Sequence, residues 1–257
     1  MNEINEQEKK ESMPEEKTHA TASNIYLLPA SILIAGIMIS TSVVYLVGQQ
    51  GTTRVPSQNQ DQIGNGDEPT AADIAKGLEL TARDVILGDP KAPVTVIEYG
   101  DYQCPFCTKF AETIEPALRE KYIKTNKVKM IFRNFQFLGP ESLVAAEAAS
   151  CAADQQKFWT YHDSLYAAES ADGQEHNGNL NRDLFLKLAA DAKLDVAAFT
   201  TCFDTHKHKT EIAEDRDAAQ SIGVNSTPTS FVNGEKIDGA LPFSQFQQII
   251  ENALAKK

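Results

Sequence analysis

The longest apolar stretch of the chain covers residues 25–47 and contains no charged side chain. A helix of that length rises about 35 Å, enough to cross a hydrocarbon core roughly 30 Å thick. A buried core helix would normally show a polar face, and the apolar part of a signal peptide usually spans only about 7 to 15 residues. The pattern therefore predicts a single, uncleaved transmembrane helix.

Positive charges flank this predicted helix unequally. Three lysines precede it, whereas Arg54 is the only basic residue after it until Lys76. Because Lys and Arg concentrate on the cytoplasmic side of a span, the amino terminus is expected in the cytoplasm and the later residues outside the cell membrane. The polar residues 1–24 predict a disordered segment. Residues 48–83, rich in Gln, Gly and Asp, predict a linker that contains at most a short helix over 71–80.

The remaining residues, 84–257, alternate between strand and helix patterns, which is typical of an α/β domain. Residues 94–99 are apolar almost throughout, as in a central strand that is covered on both faces. A helix pattern over 108–121, which Pro116 should kink, separates them from a second strand pattern over 128–132. This order indicates a right-handed parallel crossover.

Between about residues 139 and 222 the pattern changes to alanine-rich helical segments, which predicts a helical insertion within the α/β domain. The segments with helical spacing are 141–153, 157–168, 182–190, 196–203 and 211–222. Strand character returns at 229–232, and the turn signal Asn233-Gly234 leads into a short strand at 236–237. An amphipathic helix pattern over 243–254 closes the domain.

Composition and charge exclude some functions. A chain of 257 residues with 42% apolar and 23% charged residues is typical of a globular protein. The formal net charge of −12 disfavours a nucleic acid partner, because a polyanion requires a basic surface. The four cysteines are more informative, since their even number permits two disulfides. These bridges would persist if the domain lies outside the cytoplasm.

Cys104 and Cys107 are separated by two residues and lie between the predicted strand 94–99 and the following helix. A cysteine at a helix N-terminus meets unpaired N–H groups and the positive end of the helix dipole, which favour the thiolate. Pro105 suits the first helical position because its nitrogen carries no hydrogen that would be left unpaired. The arrangement predicts a thiol-disulfide exchange site, with a purely structural disulfide as the alternative.

Two distant motifs give the chain a family resemblance. The first runs from Ile97 to Cys107 and reads IEYGDYQCPFC, and the second runs from Gly223 to Thr229 and reads GVNSTPT. With the helical insertion between them, they resemble the DsbA-type thioredoxin-fold disulfide oxidoreductases. The resemblance implies a thioredoxin-like α/β fold with an inserted helical domain, and an enzyme that introduces disulfides into secreted proteins.

The resemblance also implies roles for individual residues. Cys104 would be the nucleophile and Cys107 its partner, while Thr227-Pro228 would be a cis-proline loop whose Thr227 backbone pairs with an extended client segment. Glu98 would lie beneath the site as a buried acid that relays a proton to or from Cys107. An exposed Glu98 and a trans bond before Pro228 are the alternatives.

Phe106 leaves the direction of the reaction open. Family members with a histidine between the cysteines gain extra thiolate stabilisation, which this chain lacks. A disulfide reductase or isomerase on the same fold is therefore a second candidate, and a redox-inactive client-binding module with a structural CxxC is a third. The resemblance further implies client proteins with thiols and a membrane redox partner of the DsbB or VKOR type; no cofactor is expected.

Cys151 and Cys202 lie in two predicted helices of the insertion. In an oxidising compartment they are expected to form a structural disulfide that closes a loop of about fifty residues. Two free buried thiols are the alternative. A zinc site made by all four cysteines is not expected, because structural zinc usually takes its ligands from two closely spaced pairs.

Overall fold

The computed structural model describes residues 68–170 and 175–256, which include all four cysteines. The predicted segment 1–24 and the predicted transmembrane helix 25–47 lie outside these residues, as does most of the predicted linker 48–83. Within the described ranges, no helix is both long and apolar enough to cross a bilayer.

A mixed sheet forms the centre of the domain. Its strands are β1 (Ile86–Leu87), β2 (Val94–Gly100), β3 (Val128–Asn134), β4 (Thr229–Val232) and β5 (Glu235–Asp238). Their order across the sheet is β1-β3-β2-β4-β5, and only the central pair, β2 and β3, is parallel among the strands of the described residues. β2 is buried along almost its whole length, because it lies at the centre of the sheet and is covered on both faces.

Helices cover this sheet and form the insertion. They are α1 (Ala71–Gly77), α2 (Pro105–Thr113), α3 (Glu115–Leu118), α4 (Pro140–Ala153), α5 (Phe158–Ser170), α6 (Arg182–Asp191), α7 (Val196–Asp204), α8 (Lys209–Ser221) and α9 (Phe243–Ala255). Helices α4 to α8 lie between β3 and β4 in the sequence. The chain therefore has a sheet whose two halves are separated by a helical segment, as in a thioredoxin-like fold with an insertion.

The helix predicted over 108–121 begins earlier and is interrupted. α2 starts at Pro105, directly after Cys104, and ends at Thr113. α3 and a π-helical turn, Arg119–Ile123, follow it. Pro116 has no N–H to donate to the preceding turn, which accounts for the break between α2 and α3.

Three clusters of buried side chains surround the sheet. On one face, α2 and α9 bring Phe110 and Phe246 into edge-to-face contact, with ring centroids 5.5 Å apart. On the other face, residues of α8 pack against the sheet. The third cluster joins Phe132 of β3 to the insertion and includes Cys104 and Cys107. The two cysteines therefore lie where the sheet, α2 and the insertion meet.

The segment before residue 84 packs on the domain. The last part of the predicted linker 48–83 is therefore attached to the domain surface, and its helix, Ala71–Gly77, lies within the short helix predicted over 71–80. Ile74 of α1 contacts the cluster beneath α8. The Arg133 guanidinium donates to the Gly77 and Glu79 carbonyls at 2.8 Å and to the Asp84 carboxylate at 2.8 and 2.9 Å. Sequence periodicity does not reveal this contact, because backbone carbonyls supply much of it.

Candidate active site

Cys104 occupies the amino-terminal cap of α2, shortly after the end of β2. Its φ and ψ of −77° and 119° are extended, and the helix begins at Pro105. The Cys104 carbonyl accepts the first helical hydrogen bond, from the Thr108 N–H at 3.0 Å. The N–H groups of Phe106 and Cys107 have no acceptor within the helix, and they lie in the first turn that Cys104 caps.

The loop before β4 lies against the same sulfur. The Thr227–Pro228 peptide bond is cis, and the Thr227 carbonyl oxygen lies 3.5 Å from Cys104 Sγ. The Pro228 carbonyl accepts a hydrogen bond from the Gly239 N–H at 2.8 Å, which holds this loop to the residue after β5. Two motifs that are 123 residues apart in the sequence thus meet at one sulfur atom.

The two thiols of the motif differ in acidity. The hydrogen bond from the Cys107 thiol contributes most to lowering the pKa of Cys104 to about 6; burial opposes it, while the helix N–H groups reinforce it. Burial raises the pKa of Cys107 well above its ordinary range. At neutral pH Cys104 is therefore mainly a thiolate and Cys107 a thiol, which suits disulfide exchange.

Glu98 is fully buried in β2, on the face that α2 covers, which excludes the exposed alternative. Neither carboxyl oxygen has a hydrogen-bond partner among the described residues. Its neighbours in the strand register are Phe132 on β3 and Ser230 on β4, so neither adjacent strand offers a cation. Burial, followed by the charges of Glu115 and Cys104, raises the pKa of Glu98 well above its usual range. These surroundings favour the protonated form of Glu98.

A buried aspartate organises the turn before the motif. Asp101 Oδ1 accepts from the Gln103 N–H at 2.9 Å, and Oδ2 accepts from the N–H groups of Phe137 and Leu138 at 2.9 and 3.1 Å. This carboxylate therefore ties the loop after β3 to the turn that leads into α2. Phe106 and Phe137 are 63% and 50% exposed, so two aromatic rings near the motif face solvent.

Sequence reasoning missed a second buried acid near the site. Glu115 of α3 accepts a hydrogen bond from Arg119 at 2.9 Å and lies 3.0 Å from His162 Nε2. The other nitrogen of His162 lies 3.1 Å from the Tyr102 hydroxyl, and the ring is fully buried. Spacing gave no signal for this acid, because the helix that holds Cys107 ends at Thr113 and Glu115 begins the next one.

A disulfide joins Cys151 of α4 to Cys202 of α7. The two Cα atoms are 5.9 Å apart, within the range that a bridge requires. The bridge links two helices of the insertion, and both cysteines are buried in the cluster that also contains the Cys104–Cys107 motif. It therefore braces the insertion against which the motif packs.

Two groups of side chains in the described ranges bring three potential metal ligands within 4.8 Å of one another. In the first group the sulfurs of Cys151 and Cys202 are bonded to each other, which removes their thiolate character. In the second group the carboxylates of Glu115 and Asp163 accept hydrogen bonds from Arg119. Neither set has the free anionic donors of a usual metal site.

Comparisons with known proteins agree with this geometry. The family model described as Thioredoxin matches residues 80–252. A Bacillus anthracis protein named "Probable disulfide bond formation protein D" is 30% identical over 229 residues, which cover 88% of this chain and 97% of that protein.

Solved structures show the same relationship. Oxidised BdbD from Bacillus subtilis superposes with a TM-score of 0.62 at 28% identity, covering 73% of this chain and 96% of that chain. Alpha-DsbA1 from Wolbachia pipientis gives a TM-score of 0.63 at 28% identity, covering 71% of this chain and 96% of that chain. The described domain thus matches nearly the whole of both structures.

Proposed function

Because the chain belongs to the thioredoxin family and is a DsbA-type thiol-disulfide oxidoreductase, we propose that it introduces disulfides into secreted proteins through Cys104 and Cys107. The activity class follows from the family. The direction of exchange, the residues that carry it and the setting of the enzyme are the parts that we infer.

The contrast between the two thiols carries this proposal. Hydrogen bonding from the Cys107 thiol contributes most to lowering the pKa of Cys104 to about 6, and the helix N–H groups reinforce it, although burial opposes them. Stabilising this thiolate lowers the free energy of the reduced protein relative to its disulfide form. The disulfide form then becomes a stronger oxidant, which supports exchange in the direction of disulfide introduction.

In this direction a client thiolate attacks the Cys104 sulfur of the oxidised motif. The client–Cys104 bond forms while the Cys104–Cys107 bond breaks, and the electron pair of the broken bond goes to the Cys107 sulfur. A second client thiolate then attacks the client sulfur of the mixed disulfide and releases Cys104 as a thiolate. The client is oxidised by two electrons, and the motif is reduced by the same two electrons.

Glu98 and the Thr227-Pro228 loop would assist these steps. The Cys107 sulfur becomes anionic in a buried site, and Glu98 is a buried acid with a raised pKa that would supply a proton to it. The Thr227 backbone adjoins Cys104 and would pair with an extended client segment through main-chain hydrogen bonds. Such pairing tolerates many client sequences, which suits an enzyme that acts on unfolded chains.

The proposed setting is the outer side of the cell membrane. The apolar residues 25–47 would anchor the chain in a single pass, with the amino terminus in the cytoplasm and the catalytic domain outside. A membrane redox partner of the DsbB or VKOR type would reoxidise the motif after each cycle. Recovery of the mature protein from the membrane fraction with its amino-terminal segment intact would test the anchor, and loss of that segment would contradict it.

Two measurements test the function. Cys104→Ser should abolish oxidation of a reduced client, and retained oxidation would refute the catalytic assignment. The equilibrium potential of the motif against glutathione should be clearly more oxidising than the value of about −270 mV for thioredoxin. A potential at or below that value would favour the reductase, a candidate supported by Phe106, whose exposed ring offers no hydrogen bond to the thiolate.

A further inference from the structure

Beneath the motif lies a group of buried ionisable side chains that the exchange steps above use only in part. Glu98, Glu115 and His162 have exposed fractions of 0%, 2% and 0%. They come from β2, α3 and α5, so the fold gathers them from three elements. Two carboxyl groups in one buried site do not ionise equally, because like charges repel strongly at low dielectric.

The contacts decide which of the two acids is ionised. Arg119 donates to Glu115 Oε2 at 2.9 Å, and His162 Nε2 lies 3.0 Å from Glu115 Oε1. His162 Nε2–H can donate to Glu115, and the Tyr102 hydroxyl lies 3.1 Å from His162 Nδ1. Both Glu115 oxygens therefore accept hydrogen bonds, as a carboxylate requires.

Glu98 has the opposite surroundings. Its two oxygens have no hydrogen-bond partner in the described part of the chain, and the Ser230 hydroxyl opposite it in the sheet is likewise unpaired there. The Arg119 cation is engaged by Glu115 and by Asp163, whose carboxylate lies 2.6 Å from it. A charge on Glu98 would thus have no compensation.

We propose that Glu115, held ionised by Arg119 and His162, is a positioning residue that keeps Glu98 protonated, so that Glu98 can protonate the Cys107 sulfur. This inference rests on the proposed function, because it presumes that Cys107 is the leaving sulfur. When the Cys104–Cys107 bond breaks, the electron pair goes to Cys107. The Glu98 O–H bond then breaks heterolytically, and its proton forms the Cys107 S–H bond.

The electrostatics agree with this arrangement. The charge of Glu115 raises the pKa of Glu98, second only to burial, and the charge of Cys104 adds to it. Although burial opposes ionisation of Glu115, His162 and Arg119 outweigh it and lower the pKa of that carboxyl. The other ionisable groups that interact with Glu98 are Cys107, Tyr102 and Tyr166. None of them can supply a positive charge, because thiols and phenols ionise only to anions.

The test is the protonation state of Glu98, read by infrared spectroscopy on the oxidised full-length protein in detergent. The band of its protonated carboxyl is assigned by its disappearance in Glu98→Gln. In the native protein the band should persist through neutral pH. In Glu115→Gln the ionised-to-protonated ratio of Glu98 should rise by about tenfold at a given pH, because a like charge has been removed.

Two matched variants separate charge from packing. Glu115→Asp keeps the charge and should retain the native behaviour of Glu98. Asp163→Asn makes the same carboxyl-to-amide change on the other partner of Arg119, and it should leave the Glu98 band within about twofold of native at each pH. If Glu115 had only a structural role, the Glu98 band would not differ between Glu115→Gln and Glu115→Asp.

Several outcomes would overturn the proposal. An ionised Glu98 in the native protein at neutral pH refutes it without any variant, even if Glu115→Gln fails to fold. A change of less than about twofold in folded Glu115→Gln refutes it as well. The infrared measurement needs no turnover, so it can contradict the role of Glu115 without contradicting the proposed function. The proposed function is tested separately, by whether Cys104→Ser still oxidises a reduced client.

Discussion

The acidity of Cys104 should make the stability of the reduced protein depend on pH in a way that the oxidised protein does not share. An ordinary thiol has a pKa of about 8.5, whereas that of Cys104 is about 6. The difference corresponds to about 3 kcal/mol of stabilisation when the thiolate is fully formed, and solvent screening at the helix end reduces it to on the order of 2 kcal/mol.

The sign follows from the lowered pKa. The stabilisation is complete above about pH 8.5, where the unfolded thiol also ionises, and it is lost as the pH falls through about 6. At pH 7 roughly 1 kcal/mol should remain. The Cys107 thiol, whose pKa is raised, acts in the opposite direction only above its unfolded pKa of about 8.5, so it does not disturb the range from about pH 5 to pH 8.

Urea unfolding of the reduced and oxidised full-length protein across this range measures the effect. The free energy of unfolding of the reduced form minus that of the oxidised form should rise with pH, because other titrating groups largely cancel. Cys104→Ser, compared with the reduced protein, should abolish the slope. A difference that stays constant from about pH 5 to pH 8, or a thiolate absorbance with a midpoint near 8.5, would refute the reasoning.

Three further predictions concern stability and are measured by urea unfolding. Replacing Cys151 and Cys202 together by alanine should cost about 4 kcal/mol, since the bridge spans 51 residues; a loss below about 1 kcal/mol would contradict the entropic account. Arg133→Met should lower the free energy of unfolding by about 3 kcal/mol, because it leaves the buried Asp84 carboxylate without its cation. It should also expose residues 77–84 to proteases, and unchanged proteolysis would contradict this. Gly100→Ala should cost about 1 to 3 kcal/mol, because its Cβ would lie 2.4 Å from a Phe132 ring carbon; native stability would show that the ring moves freely.

Local patterns in the sequence identified most of the elements that carry the site. The continuous apolar run at 94–99 became β2, because a central strand is buried on both faces. The alanine-rich segments became the helices between β3 and β4. The helix after the motif starts at Pro105, the position that the missing N–H of proline suits, whereas the helical periodicity is recognisable only from residue 108.

Local chemistry also identified the reactive sulfur. Two cysteines separated by two residues between a strand and a helix predict a thiolate at a helix N-terminus, and this argument needs only the neighbouring residues. The surroundings of the Cys104 sulfur nevertheless include the Thr227 carbonyl, which reaches it from a distant loop. Family resemblance, and not periodicity, was needed to connect that loop with the motif.

The sequence by itself determined the order of strands and helices, the cysteine pair and its position at a helix start, because periodicity and spacing depend on residues adjacent in the chain. Only the tertiary structure decided that Phe132 and Ser230 flank Glu98 and that Arg119 donates to Glu115. It also decided that Cys104 adjoins the Thr227 carbonyl. These relations join residues that are remote in sequence, and packing sets them. They determine where the charges and protons of the site can reside.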